Sequence, residues 1–134
     1  MSARDRFVQQ VEYYERALER LREVLELDES SFVRDSIIKR FELTFEMAWK
    51  AMYRWLRAKD VEIVEESFEV IPRAFNAGLI DDDAAWTEIR KARNKTSHTY
   101  DEKKAIEVSA FIRARAVPAF SSLAQRLRTE AGKG

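Results

Sequence analysis

The chain has 134 residues, with 24 basic and 24 acidic side chains, a single histidine (His98) and no cysteine. These counts exclude a disulfide framework, a thiolate metal site and a cysteine nucleophile, and one protomer cannot place two imidazoles in one site. The three glycines and two prolines leave little room for hairpins or for Gly-rich phosphate loops.

No apolar run approaches the roughly 18 residues of a membrane span, and the first residues lack the apolar centre of a signal peptide. We therefore expect a soluble, cytoplasmic protein with no membrane partner. The length suits one domain over 1–134, with 1–5 and 129–134 expected to fray.

Two long amphipathic helices are predicted in the first half of the chain. Apolar residues recur at spacings of three and four in the first one: Phe7, Val11, Tyr14, Leu18, Leu21 and Leu25. Ser30 or Ser31 is the expected N-cap of the second, which runs from about residue 32 to 58. Helical spacing accounts for its aromatic residues as core packing, Phe45 and Trp49 among them.

A connector and a short helix follow. Pro72 suits the first turn of this helix, and Gly78 suits the position just after its end. The acidic triplet 81–83 then begins a further helix, where carboxylates cap free N–H groups and oppose the helix dipole. A metal-binding interpretation of this triplet is the less favoured alternative.

The helix that begins at 81–83 runs at least to Arg93 and ends before Tyr100. The last helix begins near Asp101, with Thr99 and Glu102 as a capping box, and Pro118 is expected to kink it. Four long helices and one short one predict an all-α fold, an antiparallel up-and-down four-helix bundle with one short extra helix.

Overall neutrality hides an uneven distribution of charge. Residues 60–89 hold nine acids and one base, whereas residues 90–104 hold six bases and two acids, and the basic stretch surrounds His98. Lys and Arg at a helix C-terminus also stabilise the helix dipole, so this alone does not establish a ligand site. Neutrality nevertheless no longer argues against a phosphate-bearing ligand.

The segment RNKTSHTY brings together a permanent cation, Arg93, the one group that titrates near neutrality, His98, and the phenol of Tyr100. In a continuous helix His98 points roughly 140° away from Arg93, so the two converge only if the helix ends or distorts between them. A purely structural alternative is a lone histidine after a helix, with Tyr100 as a packing residue.

This segment resembles the R-x-x-x-x-H-x-Y signature of HEPN domains, with Asn94 directly after the arginine. The wider chain resembles one branch of that superfamily, the nucleotidyltransferase substrate-binding proteins. Three segments in order carry the resemblance: KRFELTFEMAWKAM, IPRAFNAGLIDD and RNKTSHTYDE. The resemblance implies a helical bundle that forms a homodimer and pairs with a separate minimal nucleotidyltransferase.

The resemblance also implies roles for individual residues. Arg93 and His98 correspond to the catalytic pair of related RNA-cleaving toxins, and Asn94 supports them. Tyr100 corresponds to a hydroxyl that the partner modifies by adenylylation. Arg90 and Lys95 are further candidate binding residues, and neither a metal nor a cofactor is expected.

Two functions follow from these observations, and the first is favoured. In the first, the chain is a substrate- or nucleotide-binding subunit that dimerises and serves a separate nucleotidyltransferase, with Trp49 or Trp86 in the ligand cleft. In the second, it is a metal-independent endoribonuclease toxin that the transferase neutralises as antitoxin. A further alternative is a helical assembly subunit that binds no ligand. The chain lacks the G-S…D-x-D segment of these transferases, so we do not expect it to transfer nucleotides by itself.

Overall fold

The computed structural model describes residues 1–98 and 101–133, and for His98 it describes the backbone alone. Its helices are α1 (Ala3–Leu25), α2 (Ser31–Ala58), α3 (Ser67–Asn76), α4 (Asp83–Lys95), α5 (Glu102–Phe111) and α6 (Val117–Gly132). A 3-10 turn (Thr96–His98) follows α4, and a π turn (Ile112–Ala116) joins α5 to α6. Because the described residues include no strand, the predicted all-α class is confirmed.

The long helices alternate in direction. Thr44 on α2 donates a hydrogen bond to the carbonyl of Ala17 on α1, while Gln10 reaches Met47, so α1 and α2 run antiparallel. Arg93 on α4 meets α2, and Arg115, in the π turn, pairs with Glu88 on α4. The predicted up-and-down bundle is confirmed, with α3 as the short extra helix.

An aromatic cluster forms the centre of the core. The ring of Phe120 on α6 packs against Tyr14, Phe41 and Trp86, with ring centroids 5.7 to 6.4 Å apart. The hydroxyl of Tyr14 donates a hydrogen bond of 2.6 Å to the carbonyl of Phe120, which satisfies both polar groups without water. Burial raises the pKa of Tyr14 well above its ordinary value. Phe120 therefore joins α1, α2 and α4 to α6.

Two predicted caps are observed. The hydroxyl of Ser30 accepts from the N–H of Val33 at the start of α2, and Asp82 accepts from the N–H of Ala85 at the start of α4. At the start of α5 the N-cap is Asp101, which accepts from the N–H of Lys103. The predicted capping box of this helix involves Thr99, which lies outside the described residues.

The position of Pro72 differs from the prediction. Helix α3 begins at Ser67, so Pro72 lies inside the helix and not in its first turn. The helix starts earlier because Val70 and Ile71 lie on its buried side and gain from packing against the core. Gly78 follows the end of the helix with a φ of 81°, the left-handed conformation that glycine adopts without strain.

Pro118 disturbs the last helix as expected. It lies in the first turn of α6, directly after the π turn, where Val117 donates its N–H to the carbonyl of Ile112. A proline has no N–H and its ring crowds the previous turn, so a wider turn at this point relieves the clash.

The two termini are more ordered than the sequence suggests. Ser2 and Asp5 form a capping box at the start of α1, and the guanidinium of Arg4 donates to the carbonyls of Glu130 and Ala131. The expected fraying of 1–5 and 129–134 is therefore wrong for α1 from Ala3 and for α6 to Gly132. Contacts between the two ends, which are distant in sequence, stabilise both.

Glu130 is a buried carboxylate at the end of α6. It accepts hydrogen bonds from Lys133 (2.6 Å) and from the indole N–H of Trp55 (2.9 Å), and Arg126 lies 3.6 Å away. The hydrogen bond from Lys133, with that from Trp55 and the charges of Lys133 and Arg126, lowers the pKa of Glu130 from 4.5 to about 2.

A carboxyl whose pKa is lower in the folded state stabilises the fold above its unfolded pKa, and this contribution is lost as the pH falls towards the folded value. We expect the free energy of unfolding to lose up to about 3 kcal/mol between pH 5 and 2, less to the extent that solvent screens the 63% exposed Lys133. Urea titrations should show a weaker loss for Glu130→Gln, which keeps an acceptor for Trp55. Parallel pH profiles of the two proteins would contradict this assignment.

None of the helices that the structure describes is long and apolar enough to cross a membrane.

Candidate functional site

The C-terminal end of α4 carries the residues that the sequence analysis selected. The hydroxyl of Thr96 donates to the carbonyl of Arg93 (2.7 Å), and Arg93 Nη1 donates to that hydroxyl (3.3 Å). The carbonyl of Arg93 also accepts from the backbone N–H of Thr96, the C-cap residue, and α4 ends at Lys95. The tighter 3-10 turn that follows is the break between Arg93 and His98 that convergence of their side chains requires. The His98 side chain and Tyr100 lie outside the described residues, so their roles stay predictions.

Two carboxylates of α2 flank the guanidinium of Arg93. Nη1 lies 3.5 Å from Glu42 Oε2, and Nε lies 3.8 Å from Glu46 Oε1. Both distances exceed the 2.7–3.2 Å range that is usual for N–H···O hydrogen bonds, so these are loose ion pairs. The indole N–H of Trp49 donates to the other oxygen of Glu46 at 3.0 Å and so fixes that carboxylate.

This arrangement positions Arg93 without using up its donors. Glu42 and Glu46 are one helical turn apart and repel each other, and the cation between them offsets that repulsion. Arg93 Nε is buried and has no hydrogen-bond partner among the described residues, so this donor does not face an incoming ligand. The side chain as a whole is 31% exposed, and a guanidinium at a partly open position is suited to donating to a phosphate oxygen.

The other predicted binding residues lie on different sides of α4. Arg90, three residues before Arg93, shares its side of the helix, and Asn94 is exposed. Lys95 points roughly 200° from Arg93 and lines a groove between α4 and α5, together with Lys91 and Glu107. The structure therefore places Arg90 beside Arg93 and places Lys95 on another face.

The two tryptophans suggested for the ligand cleft are both buried. Trp86 packs on Phe120 with ring centroids 5.7 Å apart, so it belongs to the core and not to a cleft. Trp49 is also buried, but its N–H contacts Glu46 and thereby supports the Arg93 site. The prediction that these aromatic residues pack in the core is confirmed. Trp49 in addition holds the carboxylate of Glu46 that lies beside Arg93.

The acidic triplet acts as a helix cap in the structure. The carboxylate of Asp82 accepts from the backbone N–H of Ala85 at 3.0 Å, and Asp83 is the first residue of α4. Within residues 1–98 and 101–133, no three acidic or histidine side chains converge in a way that could hold a metal ion.

Glu42 and Glu46 were not predicted as site residues from the sequence. They lie four residues apart within KRFELTFEMAWK, and Trp49 follows three residues after Glu46, so the three share one side of α2. The sequence signal that could have indicated them is an acidic pair on the same side of a helix as a core aromatic residue.

Comparison with solved structures identifies the class of protein that this fold and site define. A Haemophilus influenzae structure, described as revealing the fold of a substrate binding domain of a nucleotidyltransferase, superposes with a TM-score of 0.77 at 28% identity. A crystal structure of a Thermus thermophilus protein superposes with a TM-score of 0.69 at 32% identity. Each alignment covers 88% of this chain and 98% of the other.

A sequence model of the family described as nucleotidyltransferase substrate binding protein like matches residues 9–129. The chain belongs to this family, as its resemblance to it predicted.

A curated relative carries a different description. The protein named probable ribonuclease HepT from Haemophilus influenzae is 37% identical over 90 residues, which are 61% of this chain and 62% of that protein. The alignment thus spans less than two thirds of the relative's length.

Proposed function

We propose that the chain is the substrate- or nucleotide-binding subunit of a two-component nucleotidyltransferase. It forms a homodimer and pairs with a separate, minimal transferase that performs the chemistry. Membership of the substrate-binding family supports this division of labour. The ligand lies at the C-terminal end of α4, where Arg93 binds a phosphate group and Arg90 adds positive charge.

The geometry of Arg93 is the observation that carries this proposal. Its partners on α2 lie at 3.5 and 3.8 Å, so an incoming phosphate forms charge-assisted hydrogen bonds without first breaking short ones. Glu42 and Glu46 still repel an anion. Contacts with neighbouring groups must therefore contribute further favourable binding free energy. Asn94, which is exposed in the same turn, supplies an amide for the sugar or the base.

Two copies complete the site. One chain contains one histidine, whereas a two-fold dimer presents Arg93 and His98 from each protomer across a single cleft. The hydroxyl of Tyr100 is then the group that the transferase modifies. The phenol gives up its proton to solvent, its oxygen bonds to the α-phosphorus of ATP, the bond from that phosphorus to the bridging oxygen breaks, and pyrophosphate leaves.

The second candidate function is a metal-independent endoribonuclease, acting as a toxin that the transferase restrains as antitoxin. The name of the HepT relative and the break in α4 before His98 favour it. His98 takes the proton of a ribose 2′-hydroxyl, whose oxygen attacks the phosphorus and displaces the 5′-oxygen. The products are a 2′,3′-cyclic phosphate and a 5′-hydroxyl, which takes up a proton from His98 of either protomer. Arg93 stabilises the charge on the phosphate.

Incubation with RNA in EDTA separates the two functions. The purified dimer is mixed with single-stranded RNA and transfer RNA, beside the variants His98→Ala and Arg93→Ala. For a binding subunit we expect no cleavage above the level of the variants. Cleavage that disappears in both variants, with cyclic phosphate ends, would contradict the first function and establish the second.

A further inference from the structure

Helix α3 exposes an apolar surface on the side that faces away from the bundle. Phe68, Pro72 and Phe75 follow one another on α3 at spacings of four and three, Val64 lies in the segment just before the helix, and all four are exposed. The side chains of Phe68 and Phe75 are 54% and 38% exposed, although each is large enough to contribute strongly to burial. We call this surface, Val64, Phe68, Pro72 and Phe75, the α3 face.

Single exposed apolar residues are ordinary, but a contiguous row on one helix side indicates an interaction surface. The spacing is the one that an amphipathic helix uses when it lies in an apolar groove of another protein. The opposite side of α3, with Val70, Ile71 and Ala74, already packs on the core of this chain. The helix therefore has one side for the fold and another that is free for a partner.

Acidic residues border the α3 face. Residues 60–69 hold five acids and no base, and Glu62, Glu65, Glu66 and Glu69 are all exposed. In the described part of the chain, none of these four carboxylates forms a salt bridge. Arg73 is the one base within residues 60–76, so the rim keeps an excess of negative charge, and a partner that brings lysine or arginine to it gains both attraction and faster association.

Symmetry argues that this partner is a different protein. A two-fold dimer that met at the α3 face would place each acidic rim near its own copy, which repels. The groove between α4 and α5 is lined by Lys91 and Lys95 but also by Glu88 and Glu107, so it offers no excess positive charge to the acidic rim of a second copy.

We infer that the α3 face binds a protein whose apolar groove is bordered by lysine and arginine. On the function proposed above, on which this inference rests, that protein is the nucleotidyltransferase. Helix α3 contacts both α2, which carries Glu42 and Glu46, and α4, which carries Arg93, so a partner on the α3 face lies against the helices that build the Arg93 site.

The test measures the affinity of the chain for the nucleotidyltransferase encoded in the adjacent reading frame. The double variant Phe68→Ser/Phe75→Ser should weaken binding by roughly 30-fold or more. The variant Glu65→Lys/Glu69→Lys should slow association and remove most of its dependence on salt. A matched control, Phe32→Ser/Leu43→Ser, removes two exposed apolar residues from α2 and should bind as the wild type does. Circular dichroism verifies that every variant is folded.

Each result bears on one statement. If the wild type does not bind the transferase, the proposed pairing fails, and this inference fails with it. If the wild type binds and both α3 variants bind equally well, the pairing stands and the α3 inference is wrong. Loss of binding in the α2 control alone overturns the inference in favour of α2. If the α3 variants instead turn dimers into monomers, the occupant is a second copy of this chain.

Discussion

Replacing Phe120 with alanine should lower the free energy of unfolding by about 3–5 kcal/mol. The ring is fully buried and contacts Tyr14, Phe41 and Trp86, so its removal leaves a cavity shared by α1, α2, α4 and α6. Because the neighbours belong to different helices, they cannot all collapse into the space. Urea unfolding followed by circular dichroism measures the change.

Phe32→Ala provides the control for this prediction. Phe32 is 84% exposed at the start of α2, and its removal should change the free energy of unfolding by less than about 0.5 kcal/mol. Equal losses for the two variants would contradict the placement of Phe120 at the centre of the core.

Replacing Arg93 with alanine should weaken the binding of a nucleotide or RNA by roughly 10- to 100-fold, the usual range for charge-assisted hydrogen bonds. The guanidinium is the partly exposed cation that Glu42 and Glu46 hold at the end of α4. Arg93→Lys should recover only part of the affinity, because an ammonium cannot form the planar pair of hydrogen bonds. Equilibrium titration with a fluorescent nucleotide or oligonucleotide measures the effect.

Arg115→Ala is the matched control for Arg93→Ala. Arg115 is also a partly exposed arginine with a carboxylate partner, Glu88, but it lies in the π turn. We expect its loss to leave ligand affinity unchanged. If both variants lost affinity equally, general positive charge would bind the ligand, and the specific role of Arg93 would be wrong.

Local patterns predicted the helices well and their ends less well. Spacing of apolar residues is a property of neighbouring residues, so α1, α2 and the cap at Ser30 were all predictable. The helical structure of the two termini was not predictable, because it depends on hydrogen bonds from Arg4 to the carbonyls of Glu130 and Ala131 at the other end of the chain. Pro72 was misplaced because the packing of Val70 and Ile71 extends α3 beyond what its cap and proline indicate.

The same limit applies to the site: features of neighbouring residues could be predicted, and contacts between helices could not. Arg93 could be selected from the sequence because its segment combines unusual residue types within eight positions. Glu42 and Glu46 could not be selected in this way, because their pairing with Arg93 joins two helices about fifty residues apart in sequence. Only the fold showed that α4 ends at Lys95, where both the N–H and the hydroxyl of Thr96 bond to the carbonyl of Arg93.

On the proposed function, this chain is the ligand-binding dimer that serves a separate nucleotidyltransferase. Light scattering coupled to size exclusion, on the chain expressed together with its proposed minimal transferase partner, measures the composition of the complex. We predict one particle that contains two copies of this chain together with the transferase. Separate elution of the two proteins, with this chain at the mass of a monomer, would contradict the claim.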